Sequence, residues 1–441
     1  MPTARDLEVR TLGAGRFESP LQAKGRRFED ESTRVRLLRN TTVEPSPASD
    51  LALERAGPRR KLFFDPTNTT AAFVTCGGLS PGLNNVIRSG FLELKFNYGV
   101  ERVFGIRDGY AGFNPELALT PQPITSDFVR DIHHLGGTVL GSSRGAQDPC
   151  VMVDFLERQG IDLLFCIGGD GTHRGAHAIA QELARRGLMK SVVGIPKTID
   201  NDVRFVDLSF GFLTALGAAS DVLRGAHVEA IGARNGVGLV KLMGREAGYI
   251  TVGAALASQE SNFVLVPEVA FPLDGPRGFL EALEERVVDR GHALVVVAEG
   301  AGQHLLGPLE TQRDASGNRR FKDIGVFLKH RITEHFAERS IELNLKYIDP
   351  SYAIRSVPAN AWDRILCDRM ARGAVHAAMA GKTDVMIGYW NQEIVHVPIA
   401  TAVAKKRTLR LESDFWSAVL ATTGQPNWHA TEGLTDAPQA T

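Results

Sequence analysis

From Ala71 to Tyr389, short apolar runs alternate with longer amphipathic stretches, and this rhythm constrains the fold more than any other feature. AAFVTC, RVFGIR, LLFCIG, SVVGIP, VGLVKLM, FVLVPE, ALVVVAE and DVMIGY read as strands. Strands separated by helical segments build parallel sheets with crossover helices. Several of the runs are apolar throughout instead of alternating, as expected where both sheet faces are covered. The fold class is α/β.

With 441 residues, 43% of them hydrophobic, the chain exceeds what one core accommodates, so two domains are expected. A formal net charge of -1 argues against a polyanion-binding surface, and nucleic acid is excluded as a partner. No apolar run approaches the length of a membrane span, and the N-terminus carries mixed charge in place of an apolar signal segment. Cys76, Cys150, Cys166 and Cys367 show no C-x-x-C spacing, which fits free thiols in a reducing cytoplasm. Residues 1 to about 60 are rich in Arg, Glu, Ser and Pro without periodicity, so an extension outside the core is expected, wrapping a neighbour or staying partly mobile.

Two glycine-rich stretches follow strands and open helices: CGGLSPGLNN (76–85) and GGDGTHRGA (168–176). Glycine costs backbone entropy, so such clusters mark a backbone bent or pressed against something. At the carboxyl ends of strands, turn amides and helix N-termini receive phosphate. Two such turns predict one polyphosphate held from two sides. Asp170, the one acid of its loop, suits Mg2+ shared with that polyphosphate or serves as a helix N-cap.

PKTIDND (196–202) supplies Lys197, Thr198, Asp200 and Asp202 after a strand. Phosphoryl transfer to a hydroxyl needs a base on the attacking oxygen, and Asp200 is the candidate; a polar turn is the alternative reading. In KLMGREAG (241–248), Arg245 follows a strand and either neutralises phosphate or pairs with Glu246, and Arg144 in LGSSRGAQD poses the same choice. Glu299 ends ALVVVAE, where it accepts sugar hydroxyls or is an ordinary strand-end acid. The GKT at Gly381 lacks the upstream glycine of a Walker loop, and the amphipathic stretch from Ala361 to Ala380 reads as a domain-packing helix.

Taken in order, GGLSPGLN, GGTVLGSSR, GGDGT, PKTIDND, MGR, AEG and YIDPSYAIR resemble the 6-phosphofructokinase family, most closely its ATP-dependent plant and kinetoplastid branch. The resemblance runs from about Gly57 to Ile399. It implies two Rossmann-like three-layer domains with mainly parallel sheets, plus an N-terminal extension over 1–69. The nucleotide-binding domain would span 70–211, with a return over about 354–398. The sugar-phosphate domain would span 212–353, and a C-terminal segment and tail 399–441. The implied reaction moves the γ-phosphoryl of Mg-ATP to the 1-hydroxyl of fructose 6-phosphate in glycolysis.

By the same resemblance, Gly78, Arg144, Gly145, Gly169, Asp170, Gly171, Thr172 and Gly175 would lie at the nucleotide, with Asp170 on Mg2+. Thr198, Ile199 and Asp200 would sit at the reacting hydroxyl, with Lys197, Asp202 and Arg245 completing the catalytic group. Met243, Gly244, Arg245 and Glu299 would hold the sugar, and Tyr352 and Arg355 its 6-phosphate. The family is typically a homotetramer regulated by small ligands. Lys346 would reach into a neighbouring subunit's site, because Gly236 stands where compact bacterial members use an arginine.

Donor choice rests on two positions. Diphosphate-dependent relatives typically carry Asp where Gly171 stands, a carboxylate that would crowd and repel a nucleotide's α-phosphate. Lys197 is usual in diphosphate users, but the plant and kinetoplastid branch combines it with this glycine, so ATP is the expected donor. NAD kinases and diacylglycerol kinases share GGDG but do not account for PKTIDND followed by MGR. A catalytically silent regulatory subunit is the rival of another class, and intact Asp170, Asp200 and Arg245 argue against it.

Overall fold

The computed structural model describes residues 2–38, 51–307 and 321–431. Its first nine strands are β1 (Phe17–Glu18), β2 (Arg34–Arg36), β3 (Ala52–Arg55), β4 (Lys61–Leu62), β5 (Thr70–Thr75), β6 (Arg102–Ile106), β7 (Gln122–Pro123), β8 (Leu163–Gly168) and β9 (Ser191–Pro196). β10 (Gly236–Leu242), β11 (Phe263–Leu265), β12 (His292–Ala298), β13 (Asn344–Ile348), β14 (Val385–Trp390) and β15 (Glu393–Pro398) follow. The helices used below are α1 (Leu83–Leu92), α2 (Pro149–Arg158), α3 (Asp170–Arg185), α4 (Phe212–Ile231), α5 (Tyr249–Ser258), α6 (Phe279–Arg290), α7 (Ile324–Glu338) and α8 (Ala361–Met379). All eight apolar runs are strands, and the class is α/β.

One compact unit comprises Met1–Ile199, Val203–Leu213 and Arg355–Lys406. Its sheet has the order β2-β3-β15-β14-β9-β8-β5-β6-β7. The five strands from β14 to β6 run parallel. β5, β8 and β9 are buried along their whole length, and Phe73 stacks on Phe165 with centroids 4.8 Å apart. β15 turns back on β14 through Asn391 and Gln392, both at positive φ (51° and 65°), the twist a two-residue hairpin requires. Neither residue is glycine, so this strand carried no turn signal in the sequence.

Described residues of the N-terminal segment are built into the first unit and its core, not held outside it. β3 pairs with β15 and β2 with β3, which covers an otherwise open sheet edge. Leu7, Leu21, Leu37, Leu53 and Leu62 join the core. Its many charges mislead because they are paired inside: Glu54, 7% exposed, meets Arg59 at 3.0 Å and Lys382 at 3.1 Å. α8 packs against α1, burying Leu366, Cys367, Met370 and Ala374, as its amphipathic pattern predicts. All four cysteines are free, and burial pushes Cys166 up to about 12.

The other unit comprises Asp200–Asp202, Thr214–Ile354 and Arg407–Thr441. Its sheet, β11-β12-β10-β13, is wholly parallel. α4 lies close on β10: a Cβ at Gly238 would stand 3.0 Å from the Ala226 carbonyl oxygen. The described C-terminal residues belong to this core, with Trp416 and Trp428 buried. The Gln425 amide completes the backbone hydrogen bonds of Val264, accepting at 2.6 Å and donating at 3.3 Å. The remainder of the expected tail, 432–441, lies outside the described residues.

Candidate active site

In the first unit, the turn after β5 and the loop 136–145 are laced together. The Gly77 amide donates to Ser143 at 3.0 Å, Ser142 Oγ donates to the Gly77 carbonyl at 2.6 Å, and Thr75 Oγ1 donates to the Gly141 carbonyl at 2.6 Å. Gly77 (φ 82°) and Gly141 (φ 71°) take backbone angles that favour glycine. Together they frame a cleft of about 540 Å3 whose lining includes Gly77, Gly78, Ser143, Arg144 and Arg355. Two guanidiniums and no carboxylate line it, a setting for a polyanion. A Cβ at Gly78 would lie 3.1 Å from Arg355 and 3.8 Å from Arg144, so this glycine keeps the approach open.

Arg355 lines this cleft beside Arg144. Tyr352 belongs to the second unit and is 76% exposed.

The second glycine turn separates into residues with different duties. Gly168 is required by packing, since a Cβ would come within 2.1 Å of Thr172 Oγ1, and Gly175 likewise against Tyr110 at 2.4 Å. At Gly171 a Cβ would meet nothing within 4 Å, so no protein atom accounts for this glycine. Gly145, at φ 108°, is explained by its backbone. The N-cap of α3 is Gly169, which rules out the capping role considered for Asp170; the carboxylate opens the helix as its first residue.

His173, which the sequence reading passed over, fixes this cap. It is fully buried, its Nδ1 bonds the Gly169 carbonyl at 2.9 Å, and burial pushes it down to about 4, so the ring is neutral and donates.

Lys197 is only 6% exposed, and its ammonium donates to the Gly78 carbonyl, tying the PKTIDND loop to the first glycine turn. Ser209 Oγ holds the Thr198 carbonyl at 2.6 Å, and Ile199 is buried. From here the chain crosses to the second unit with Asp200, Asn201 and Asp202. There the Arg407 amide donates to the Asp202 carbonyl at 2.8 Å. Asn201 takes a positive φ of 53°. Asp200 and Asp202 are half-buried on either side of the buried Asn201.

The second unit gathers Gly244, Arg245 and Glu299 at the carboxyl ends of β10 and β12. Gly244 takes φ 130°, and its carbonyl accepts the Gly300 amide at 3.1 Å. Arg245 lies 4.5 Å over the Phe321 ring and 4.0 Å from Glu299, and is still 27% exposed. Met243 directly precedes this turn at the end of β10.

Beneath them lies a feature the sequence signalled only as a charge inside an apolar strand. Lys241 bonds Asp323 at 2.7 Å and Asp349 at 2.9 Å. Burial raises both carboxyls, but hydrogen bonds from Lys241 and neighbouring groups outweigh it and hold them below the ordinary range. Lys241→Ala should cost about 1–3 kcal/mol in urea unfolding, toward the lower end because both carboxylates are partly exposed. Because the folded carboxyls titrate low, their contribution is present above about pH 4 and fades as the pH falls through their folded values.

Lys346 is exposed on β13, the edge strand of its sheet. Gly236 is buried at the start of β10, where a Cβ would sit 2.0 Å from the Ala230 carbonyl oxygen, so no reaching side chain fits there. Arg88 donates to the Val129 carbonyl and Arg224 pairs with Asp221, both ordinary helix bracing. No cluster of three or more metal-ligating side chains occurs among the described residues. A single carboxylate at a helix start is what Mg2+ carried on a polyphosphate requires, so Asp170 fits that ion.

A family model described as Phosphofructokinase matches residues 70–378. The ATP-dependent 6-phosphofructokinase of Borreliella burgdorferi is 45% identical over 96% of this chain and 97% of its own. That of Amycolatopsis methanolica is 45% identical over 96% and 95%. ATP-dependent 6-phosphofructokinase 7 of Arabidopsis thaliana is 46% identical over 85% and 77%. Among solved structures, the pyrophosphate-dependent phosphofructokinase of Marinobacter aquaeolei is similar with a TM-score of 0.65 at 21% identity, covering 80% of this chain and 91% of that one. Pichia pastoris phosphofructokinase has a TM-score of 0.63 at 20% identity, covering 87% and 39%. At such identities the structures speak for the fold alone. Motif order, sheet architecture and near-full-length relatives agree that the chain belongs to the phosphofructokinase family.

Proposed function

We propose that this protein is an ATP-dependent 6-phosphofructokinase, passing the γ-phosphoryl of ATP to the 1-hydroxyl of fructose 6-phosphate to give the 1,6-bisphosphate and ADP. The observation that carries the donor is Gly171: the protein leaves space there that it does not itself fill. The names of the near-full-length relatives support the same reaction.

In this reading the amides of Gly78, Gly169 and Thr172 face phosphate oxygens, and Arg144 and Arg355 neutralise them. Asp170 would hold Mg2+, which when bound screens the charge of the phosphate tail. Asp200 takes the proton of the attacking hydroxyl, with Thr198 orienting it and Asp202 and Lys197 fixing the loop. Arg245 stabilises charge on the transferring group, while Met243, Gly244, Glu299 and Tyr352 hold the sugar phosphate. We place it in the cytoplasm, in keeping with its four free cysteines.

Lys197 is what favours a diphosphate-dependent reading, yet its bond to the Gly78 carbonyl gives it a bracing duty under either donor. Purified protein assayed with ATP and with diphosphate decides: turnover with diphosphate and none with ATP would reverse the donor.

We assign Lys346 to the sugar phosphate of a neighbouring subunit in a homotetramer, since it stands exposed on an edge strand. Lys346→Ala should raise the KM for fructose 6-phosphate at least tenfold, with the KM for ATP near normal. An unchanged sugar KM would remove that role.

A further inference from the structure

The second unit carries a histidine pair that the reaction does not use. His227 lies on α4 and His292 is the first residue of β12, and their Nε2 atoms are 3.4 Å apart. β12 runs from His292 to Ala298, so the pair sits about 20 Å along the sheet from Glu299. The other nitrogen of His292 is within hydrogen-bond reach of an acceptor, and that of His227 faces a carboxylate at longer range. His292 Nδ1 is 3.2 Å from the Arg290 carbonyl, and His227 Nδ1 is 3.8 Å from Glu260 Oε1. A neutral imidazole that donates at Nδ1 has its lone pair at Nε2. His292 held in this way turns a lone pair toward His227 Nε2, 3.4 Å away. The second carboxylate oxygen of Glu260 is buried and has no hydrogen-bond partner among the described residues, the mark of an unaccounted charge nearby.

We propose that His227 and His292 form a binding site for a divalent first-row transition metal ion of the Zn2+ type. Two nitrogens bound to tetrahedral Zn2+ at about 2.0–2.1 Å stand about 3.3–3.4 Å apart, which the pair already matches. Imidazole nitrogens suit Zn2+, Cu2+ and Ni2+ and not the oxygen-seeking Mg2+ of the reaction. The Arg290 carbonyl holds the His292 ring, and the Glu260 carboxylate faces His227 across 3.8 Å as an outer partner. Two protein ligands leave the remaining positions to water. Both rings are partly accessible, so the ion can enter the folded protein.

The ion would tie the second half of α4 to the start of β12, and binding to the folded chain alone raises thermal stability. Tag-free protein stripped with EDTA is titrated with ZnCl2 against a chromophoric chelator, and its melting is followed with and without zinc. One ion per chain is expected, with a rise in Tm, and both effects disappear in His227→Gln and in His292→Asn. Glu260→Gln should weaken binding by about 10- to 100-fold. Melting in EDTA and turnover with Mg-ATP verify that the variants fold. Should a variant fail to fold, Co2+ added to the wild-type protein decides, since tetrahedral nitrogen ligation gives intense visible bands. The proposal is overturned if the wild-type chain binds no stoichiometric zinc, the rings then sharing only an N–H···N hydrogen bond. Binding that persists in both folded histidine variants, or the absence of the cobalt bands, overturns it equally.

Discussion

Asp200→Asn should lower kcat by about 10²- to 10⁴-fold while the KM for ATP stays within a few-fold of normal. Asparagine keeps the size and shape of the side chain and one acceptor oxygen, so the ordered loop around Asn201 and Asp202 should survive. What disappears is the ability to take a proton from the attacking hydroxyl. Two to four decades correspond to about 3–5 kcal/mol in the barrier. The residual rate would come from charge neutralisation by Arg144, Arg355 and Arg245, which the substitution leaves in place. The measurement is initial-rate kinetics with both substrates varied, together with thermal melting to verify assembly. Turnover within a few-fold of wild type in a folded protein would mean that the base lies elsewhere.

The chemistry was more legible in the sequence than the borders of the fold, for a physical reason. Glycine loops and carboxylates at strand ends are local signals, and each falls where its motif predicts: Gly169 and Asp170 after β8, Arg245 after β10, Glu299 after β12. The edges of the first sheet depend on partners far apart in the chain, such as Glu54 opposite His396 in β3 and β15. A segment rich in Arg and Glu looks solvated until its charges find each other, as Arg59 and Glu54 do. His173 went unnoticed because a histidine inside a helix has no spacing signal; only its burial and its bond to the Gly169 carbonyl show that it braces the start of α3. Tyr352 and Arg355 stand in the same short motif, yet the chain passes from the second unit to the first between them.

Gly171→Asp should reduce kcat/KM for ATP by 10²-fold or more, while leaving the fold intact or firmer. Two quantities have opposite signs here. On stability, residue 171 lies in the first turn of α3, where glycine is a poor helix former and an acid is favoured by the helix dipole. Replacing it therefore gains on the order of 0.5–1 kcal/mol, because no protein atom lies within 4 Å of the new Cβ. On function, the same carboxylate occupies space that the nucleotide needs and places like charge against phosphate, which costs several kcal/mol. Gly171→Ala separates the two effects: it adds bulk without charge, so it should share the gain in stability and lose less of the ATP turnover. In the proposed reading, the open space beside residue 171 is taken by the nucleotide. If Gly171→Asp uses ATP within a few-fold of wild type, the open space has another purpose, and the choice of ATP over diphosphate loses its structural support.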